Sequence, residues 1–310
     1  MKTNVLAVVG SPLRRWAKNQ SPLYLMLLPG VVLLFLFSYW PMFGLIMAFT
    51  DFQPKKGFLG SPFVGLKWFE YLFYNSPDFS QVLLNTVVIA LLKIAVGTFA
   101  SIVFALLLNE VVGRWFKKTV QTITYLPNFL SWVVIGGMVV DLLSQQGIVN
   151  RIIHAFGFDD IPFLQSNHWF RTVIVASDVW KNFGFGAVLY LAAIAGINPE
   201  LYEACVVDGG GKWRRMRHIT LPGIVPTLIM LSTLNLGNIL NAGQDQILIL
   251  YNPLVYETGD ILDTFAYRSG IVNVQYSFAT AVGFFKSLVG LAFILMANRL
   301  SIRFASRRIF

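Results

Sequence analysis

The chain has 310 residues, of which 56% are hydrophobic and 13% are charged, with a formal net charge of +9. Soluble domains carry about 25% charged residues, so a chain this poor in charge cannot cover a water-facing surface, and a soluble enzyme is close to excluded. The single cysteine, Cys205, excludes an intramolecular disulfide. The remaining class is an all-α polytopic membrane protein.

Six segments of the chain meet the requirement of about 20 mainly apolar residues for a membrane-crossing helix. The first follows four basic residues, as the core of a signal peptide does. Its apolar run is too long for a signal peptide and lacks a small-residue cleavage site, so we expect it to be retained. The predicted spans are Leu23–Phe49, Val82–Leu108, Thr119–Leu143, Thr172–Gly196, Gly223–Asn241 and Ser277–Asn298.

The distribution of basic residues predicts the orientation of these spans. Segments 1–22, 109–118, 197–222 and 299–310 contain 15 of the 24 Lys and Arg residues, whereas 50–81, 144–171 and 242–276 contain 6. Lys and Arg accumulate in cytoplasmic loops. We therefore expect a membrane protein with a cytoplasmic N-terminal segment (1–22), a transmembrane domain (23–298) and a cytoplasmic tail (299–310), whose charge faces anionic lipid rather than nucleic acid.

Two of the predicted extracytoplasmic loops have features beyond simple connections. Residues 50–81 contain the aromatic amphipathic stretch Gly65–Phe73, which is typical of a membrane interface. Residues 242–276 are interrupted by Asn252 and Pro253. This longer connection forms either a surface for an external partner or a packed lid.

The cytoplasmic loop between the fourth and fifth spans, residues 197–222, is the most informative segment. Asn198 is a favoured N-cap, Pro199 suits the first helical position, and Glu200 complements the helix dipole. Three glycines after Asp208 end that helix, and a second, basic helical piece follows. Such a loop between two membrane helices can convert a push from a cytoplasmic partner into rigid-body movement.

The same loop resembles the EAA signature of permease subunits of binding-protein-dependent ABC importers. Glu203-Ala204-Cys205 is followed after three residues by Gly209, and after nine more by Ile219-Thr220-Leu221-Pro222. Cys205 stands where Ala is usual, and both residues are small. Further segments are similar to the LplB-type permeases of carbohydrate uptake family 1, from Leu28-Pro29-Gly30 to Asn298. They include Trp180-Lys181-Asn182-Phe183-Gly184, Tyr190–Ile197, Gly237–Asn241, Tyr251–Thr258 and Tyr276–Gly283.

The resemblance implies a type I ABC importer permease fold with a cytoplasmic coupling helix, in a bacterial cell (inner) membrane. It also implies the partners: a second homologous permease, two ATPase subunits, an extracytoplasmic solute-binding protein and a saccharide substrate. The residues that it assigns to ATPase coupling are Glu203, Ala204, Asp208, Gly209, Leu221 and Pro222.

The sequence contains no catalytic constellation of its own. No GxxxxGK[ST] phosphate-binding loop occurs, and His154, His168 and His218 lie far apart. We therefore expect no enzyme activity, no bound metal and no cofactor in this chain, with ATP and Mg²⁺ held by the partner ATPase.

Polar residues inside spans mark candidate substrate contacts, because such residues are costly in lipid and usually face a protein interior or a water-filled path. In the fifth span, helical spacing puts Asn238, Asn241 and Asp245 on one arc, with Asn235 at its margin. These side chains either bind sugar hydroxyls or join helices.

Charged and aromatic residues in the other spans leave several readings open. Asp178 and Lys181 are spaced to pair with each other on one helix. Lys93 and Lys286 either snorkel, pair across helices or favour an anionic saccharide. Trp132 and Trp180 either stack on sugar rings or pack in the bundle.

Three other functions keep the membrane architecture. One is an ABC permease for another solute such as glycerol phosphate. Another is an ion-coupled secondary transporter, for which Asp141 and Asp178 are the only in-membrane acids and no repeat is evident. The last is an intramembrane enzyme, against which the missing catalytic constellation argues. We expect an importer of an oligosaccharide or polysaccharide fragment.

Overall fold

The computed structural model describes residues 12–305, and the side chains of residues 23–299. Helices make up most of this part of the chain, and one isolated antiparallel bridge joins Thr50 to Phe63. The α-helices are α1 (Pro12–Leu34), α2 (Gly57–Gly60), α3 (Lys67–Glu70), α4 (Phe79–Asn109), α5 (Arg114–Tyr125), α6 (Trp132–Leu143), α7 (Ile148–Ala155), α8 (Asn167–Ala195), α9 (Pro199–Val207), α10 (Lys212–Arg215), α11 (Leu221–Gly237), α12 (Gln244–Leu250), α13 (Tyr256–Gly259), α14 (Leu262–Tyr267) and α15 (Tyr276–Ala305).

Short π and 3₁₀ segments extend or connect these helices. The π segments are Phe35–Tyr39, Tyr71–Asn75, Met216–Thr220 and Arg268–Val272, and the 3₁₀ segments are Trp40–Phe49, Leu126–Phe129 and Pro253–Val255. The first predicted span therefore begins as α1, continues after Leu34 as a wider π segment, and ends as a tighter 3₁₀ segment.

Within the described residues, five helical segments are long and apolar enough to cross a membrane. They are Leu23–Phe49, Phe79–Asn109, Trp132–Ala155, Lys212–Gly237 and Tyr276–Arg299. A sixth, Asn167–Ala195, qualifies together with Pro199–Val207, from which a bend of 71° separates it. The count agrees with the predicted architecture of an all-α membrane protein.

Two of the predicted spans are not continuous helices, and on this point the sequence prediction was wrong. The third is divided into α5 and α6 by residues 126–131, called the third-span break, which contain Pro127. The fifth stops at Gly237 and resumes as α12 after residues 238–243, called the fifth-span break. Proline lacks the backbone N–H that a continuous helix needs, and Gly243 adopts a φ of +94° that side chains disfavour.

Two long uninterrupted helices, α4 and α8, pack against each other at the centre of the fold. Small residues permit this approach: a Cβ on Gly186 of α8 would lie 2.7 Å from the Ser101 hydroxyl of α4. The apolar core forms two clusters, a large one that includes Ile89, Phe170 and Ile247, and a smaller one around Tyr190 and Ile224. The two continuous helices therefore form a frame for the two broken spans.

The connection between α12 and α15 covers the end of the bundle opposite α9. Buried Asn85, near the start of α4, donates from Nδ2 to the carbonyl oxygens of Glu257 and Asp260, at 3.0 and 3.1 Å. Arg171, near the start of α8, donates to Asn85 at 2.6 Å and to the Thr258 carbonyl at 3.0 Å. These contacts match a packed lid, which is one of the two alternatives that the sequence left open for this connection.

A buried polar cluster stabilises this packed connection. Arg268 Nη2 lies 2.5 Å from Asp260 Oδ2, and the Thr264 hydroxyl donates to the other carboxylate oxygen at 2.7 Å. Burial raises the pKa of Asp260, while the bonds from Arg268 and Thr264 oppose that shift. Burial also raises the pKa of nearby Tyr251 to about 12, so its phenol stays neutral at physiological pH.

Candidate functional site: the coupling loop and a polar cavity

The coupling loop, residues 197–222, contains the helix that its sequence predicts. Asn198 Oδ1 accepts a hydrogen bond from the backbone N–H of Glu200 at 3.1 Å, which caps α9 at its N-terminus. Pro199 occupies the first turn, where its missing N–H costs nothing. The bend of 71° between α8 and α9 makes α9 run across the end of the bundle rather than along it.

Gly209 forms the corner that ends α9. Its φ is +74°, in the left-handed region that favours glycine, and a Cβ there would meet no atom within 4 Å. The Gly210 N–H donates to the Cys205 carbonyl at 2.7 Å, which closes the turn. Gly209 is therefore required for its backbone conformation and not for space.

Contacts across the loop join α9 to the start of the fifth span. The Tyr202 hydroxyl lies 3.0 Å from the hydroxyl of Thr220, which is buried where the π segment Met216–Thr220 runs into α11. A Cβ on Gly223 would lie 2.5 Å from Ile197, so the two ends of the loop are in close contact. Movement of α9 must therefore displace the beginning of α11.

Within the described chain, α9 is uncovered and exposes three large apolar side chains. No residue of this helix is buried, and Leu201, Val206 and Val207 are 52%, 54% and 87% exposed. Glu203, Ala204 and Asp208 are exposed on the same helix, whereas Leu221 and Pro222 form the first turn of α11. Short exposed helices with apolar patches are typical of protein interaction sites.

A second feature is a polar cavity of about 390 Å³ between α4, α8, α11 and the fifth-span break. Asn235 lies in the last turn of α11, and Asn238 and Asn241 lie in the break that follows. Its polar lining residues are Lys93, Thr98, Ser101, Asp178, Asn182, Tyr190, Asn235, Asn238 and Asn241.

The structure brings the three predicted asparagines together, but not on one continuous helix. Because α11 ends at Gly237, the helical arc predicted through Asp245 does not exist. Asp245 lies in the first turn of α12, exposed and outside the cavity wall. The prediction of Asp245 as a fourth member of that arc was therefore wrong.

The predicted pair of Asp178 and Lys181 is also corrected. Asp178 Oδ1 lies 3.5 Å from Lys93 Nζ on the neighbouring helix α4. The Lys181 ammonium instead donates to the backbone carbonyls of Pro127, Asn128 and Leu130 in the third-span break. Three carbonyl oxygens satisfy the three donors of an ammonium group, so Lys181 does not need the carboxylate.

The two lysines with open interpretations both pair across helices. Lys93 binds Asp178, Gln246 and the Ala242 carbonyl. Lys286 Nζ lies 2.5 Å from Asp263 Oδ1, outside the cavity wall. Of the three roles left open by the sequence, both residues therefore have the second, which is pairing across helices.

Neither predicted tryptophan lies in the wall of the polar cavity. Lys181 Nζ is 5.5 Å from the ring centroid of half-buried Trp132, a cation–π distance. Trp180 is 48% exposed and lines a separate, mainly apolar cavity of about 770 Å³ between α6 and α8. Trp132 therefore packs in the bundle.

Sequence reasoning overlooked two polar residues of this region. Asn182 of α8 lines the cavity and accepts a hydrogen bond from Asn128 at 3.0 Å. Gln246 of α12 is fully buried and donates to the Ile174 carbonyl and the Ser177 hydroxyl. The signal for Asn182 was its position inside a predicted span, whereas Gln246 fell in a predicted loop. Within the searched part of the chain, no group of His, Cys, Asp and Glu has the geometry of a metal site.

Comparison with known proteins identifies the family. The family model described as "Binding-protein-dependent transport system inner membrane component" matches residues 97–306. The chain belongs to this family. Its members are transport permeases, so the resemblance drawn from the EAA signature is confirmed. This permease is a multi-pass membrane protein.

Two relatives from Bacillus subtilis (strain 168) match this permease over nearly its whole length. The polygalacturonan/rhamnogalacturonan transport system permease protein YteP is 42% identical, over 94% of this chain and 91% of the relative. Protein LplB is 40% identical, over 94% of this chain and 92% of the relative.

A solved structure shares the fold. One chain of a bacterial ABC transporter involved in the import of the acidic polysaccharide alginate superimposes with a TM-score of 0.86 and 41% identity, covering 94% of this permease and 99% of that chain. A second structure of a bacterial alginate transporter, in complex with an alginate pentasaccharide-bound periplasmic protein, gives the same TM-score at 40% identity. The predicted type I importer permease fold is thereby confirmed.

Proposed function

We propose that this chain is one permease subunit of an ATP-driven importer that moves an oligosaccharide or a polysaccharide fragment across the bacterial inner membrane. The observation that carries the proposal is α9, a capped and uncovered helix with exposed apolar side chains, which is joined to the fifth span through Tyr202 and Thr220. Such a helix has the form of a docking element for a protein that performs work on the bundle.

The partner that this helix fits is an ATPase subunit on the cytoplasmic side. Val206 and Val207, which lie on either side of Glu203 around the helix, would contact apolar residues of that subunit, and Glu203 would pair with a basic residue at the edge of this contact. Loss of a charged partner at such an edge affects association more than folding. Both chain termini lie on this same side in the proposed orientation, and a second homologous permease completes the translocation path.

The proposed substrate path includes the polar cavity, where amide side chains can exchange hydrogen bonds with sugar hydroxyls. Asn235, Asn238 and Asn241 each offer a carbonyl acceptor and an amino donor, and Tyr190 adds a hydroxyl. A hydroxyl-rich saccharide needs both kinds of group. The named cargo of the similar proteins, polygalacturonan, rhamnogalacturonan and alginate, supports a saccharide of this kind for the permease.

The test is reconstitution of the permease with its second permease, ATPase and binding protein in proteoliposomes. ATP hydrolysis and uptake are measured with an oligogalacturonate, an alginate oligosaccharide, a neutral oligosaccharide and glycerol phosphate. We expect ATP-dependent uptake of at least one saccharide, with faster ATP hydrolysis when the binding protein is loaded. Uptake driven by an ion gradient without ATP, or uptake of glycerol phosphate alone, would refute the proposal.

A further inference from the structure

In each of the two broken spans, a lysine from a continuous neighbouring helix binds one or more backbone carbonyls of the break. A break inside a membrane bundle leaves carbonyl oxygens without helical partners, and unsatisfied backbone groups are costly where water is excluded. Lys181 of α8 binds the third-span break, and Lys93 of α4 binds the fifth-span break. Both breaks adjoin polar residues of the cavity region.

At the third-span break, Lys181 satisfies three carbonyl groups at once. Its ammonium donates to Pro127, Asn128 and Leu130 at 3.1, 3.0 and 2.6 Å, and the residue is 7% exposed. Asn128 also donates its side-chain amide to Asn182, which faces the cavity. These bonds determine how α5 joins α6.

At the fifth-span break, Lys93 binds backbone and side chain together. Its ammonium donates to the Ala242 carbonyl at 2.7 Å and to Gln246 Oε1. A Cβ on Gly243 would lie 2.7 Å from this ammonium nitrogen, and the glycine φ is +94°. Gly243 is therefore required both for the turn of the break and for access of the lysine.

Gln246 and Asp178 extend these bonds to α8. The Gln246 amide donates to the Ile174 carbonyl at 2.7 Å and to the Ser177 hydroxyl at 2.8 Å. Asp178, three residues before Lys181, lies 3.5 Å from the Lys93 ammonium. One carboxylate thus lies close to both lysines, and the breaks in spans three and five are attached to the same helical frame.

We propose that Lys93 and Lys181 are positioning residues that hold the two broken spans, which keeps Asn238 and Asn241 in the cavity wall and Asn128 against Asn182 of α8. They act through backbone carbonyls and not through the saccharide. Asp178 balances part of their charge and holds the Lys93 ammonium group at the interface between α4 and α8. The role in transport rests on the proposed function, whereas the role in holding the breaks is independent of it.

The competing explanation is that Lys93 and Asp178 are simply a neutral pair in the bundle. The double variant Lys93→Met with Asp178→Asn separates the two accounts, because it removes both charges and leaves no unpaired ion. If the pair has no role beyond neutralising its own charges, this double variant should transport saccharide as well as the wild type. A lysine that holds the break by its carbonyl cannot be replaced in this way.

The chain supplies a matched control in Lys286 and Asp263, whose charged atoms are 2.5 Å apart. This bond joins two side chains and involves neither break. The control variant is Lys286→Met with Asp263→Asn. A third variant, Lys181→Met, removes the bonds to the third-span break alone.

The first measurement is deuterium exchange of backbone amides in the assembled complex, and it does not depend on transport. We expect faster exchange within residues 238–243 in the Lys93→Met, Asp178→Asn variant, and within 126–131 in Lys181→Met. The control should match the wild type in both ranges. Unchanged exchange in the breaks, or an equal rise in the control, would overturn the proposal.

The second measurement is the number of saccharide molecules transported per ATP hydrolysed. Since a hydrogen bond to a charged group contributes about 1.5–3 kcal/mol, we expect a loss of about tenfold or more in the Lys93→Met, Asp178→Asn variant. The control should stay near the wild type. A wild-type ratio in the Lys93→Met, Asp178→Asn variant would overturn the positioning role. Absence of saccharide uptake in the wild type would refute the proposed function and leave the exchange result to decide this inference.

Discussion

The coupling loop and the polar cavity differ in how their structures are determined. In the loop, consecutive residues determine the structure: Asn198 caps α9, Gly209 ends it, and Tyr202 contacts Thr220 only 18 residues further along. In the cavity, residues far apart in the chain determine it, since Lys93 bonds to Ala242 and Gln246. A change in the loop should therefore disturb coupling to ATP hydrolysis, whereas a change in the cavity should disturb substrate movement.

Gly209→Val is expected to have the largest effect, on coupling. A left-handed conformation costs a non-glycine residue about 1–2 kcal/mol, and more for a β-branched one, so the corner should rearrange and saccharide-stimulated ATP hydrolysis should fall about tenfold or more. Gly211→Val is the matched control, because Gly211 has a φ of −73° and similarly open surroundings. Equal activity of the two variants would contradict the role of backbone conformation.

The double variant Asn238→Ala with Asn241→Ala is expected to reduce saccharide uptake while the stimulation of ATP hydrolysis by the loaded binding protein stays near the wild-type level. Each lost amide removes hydrogen bonds of about 0.5–1.5 kcal/mol, so uptake at low saccharide concentration should fall about tenfold. Asn273→Ala, at an exposed position outside the cavity wall, is the control. A parallel loss of ATP hydrolysis would show that the two regions are not separable.

Gly243→Ala is expected to have an intermediate effect on uptake. The added Cβ meets the Lys93 ammonium at 2.7 Å, and the φ of +94° is unfavourable for alanine. Gly65→Ala provides the comparison, since its φ is +60° and the nearest atom to an added Cβ is 3.9 Å away. Both variants carry backbone strain, so a larger loss in Gly243→Ala measures the contribution of the lysine contact.

Tyr202→Phe is expected to give the smallest change. It removes the hydroxyl bond to Thr220 but keeps the ring, which corresponds to about 1 kcal/mol and a coupling loss of about fivefold. The readout is the ratio of ATP hydrolysis with loaded and with empty binding protein. A normal ratio would mean that the loop transmits movement through its backbone alone.

The sequence predicted the loop better than the cavity for a physical reason. Caps and glycine corners depend on neighbouring residues, so Asn198, Pro199 and Gly209 could be interpreted locally. Whether an apolar run forms a continuous helix depends instead on what satisfies its carbonyl groups. Pro127 and Gly243 signalled a possible interruption, but the compensating bonds from Lys181 and Lys93 come from other spans.

The same limitation explains the pairing errors. Helical spacing brings Asp178 near Lys181, but it gives no information about three carbonyl oxygens on another span. Likewise, helical spacing puts Asp245 on the asparagine arc only if the fifth span is one uninterrupted helix, and α11 ends at Gly237. The exposure of the apolar side chains of α9 was likewise inaccessible from sequence, since exposure depends on the packing of the whole bundle.

The proposed function requires α9 to lie on the cytoplasmic side and to be bound there by an ATPase. Its most direct test is labelling of Val207→Cys by a membrane-impermeant maleimide, in a Cys205→Ala background that removes the one native cysteine. Val207 is 87% exposed, so the new thiol should be reactive. The account predicts labelling in inside-out vesicles alone, and protection when the ATPase is bound. Labelling in sealed right-side-out vesicles would contradict it.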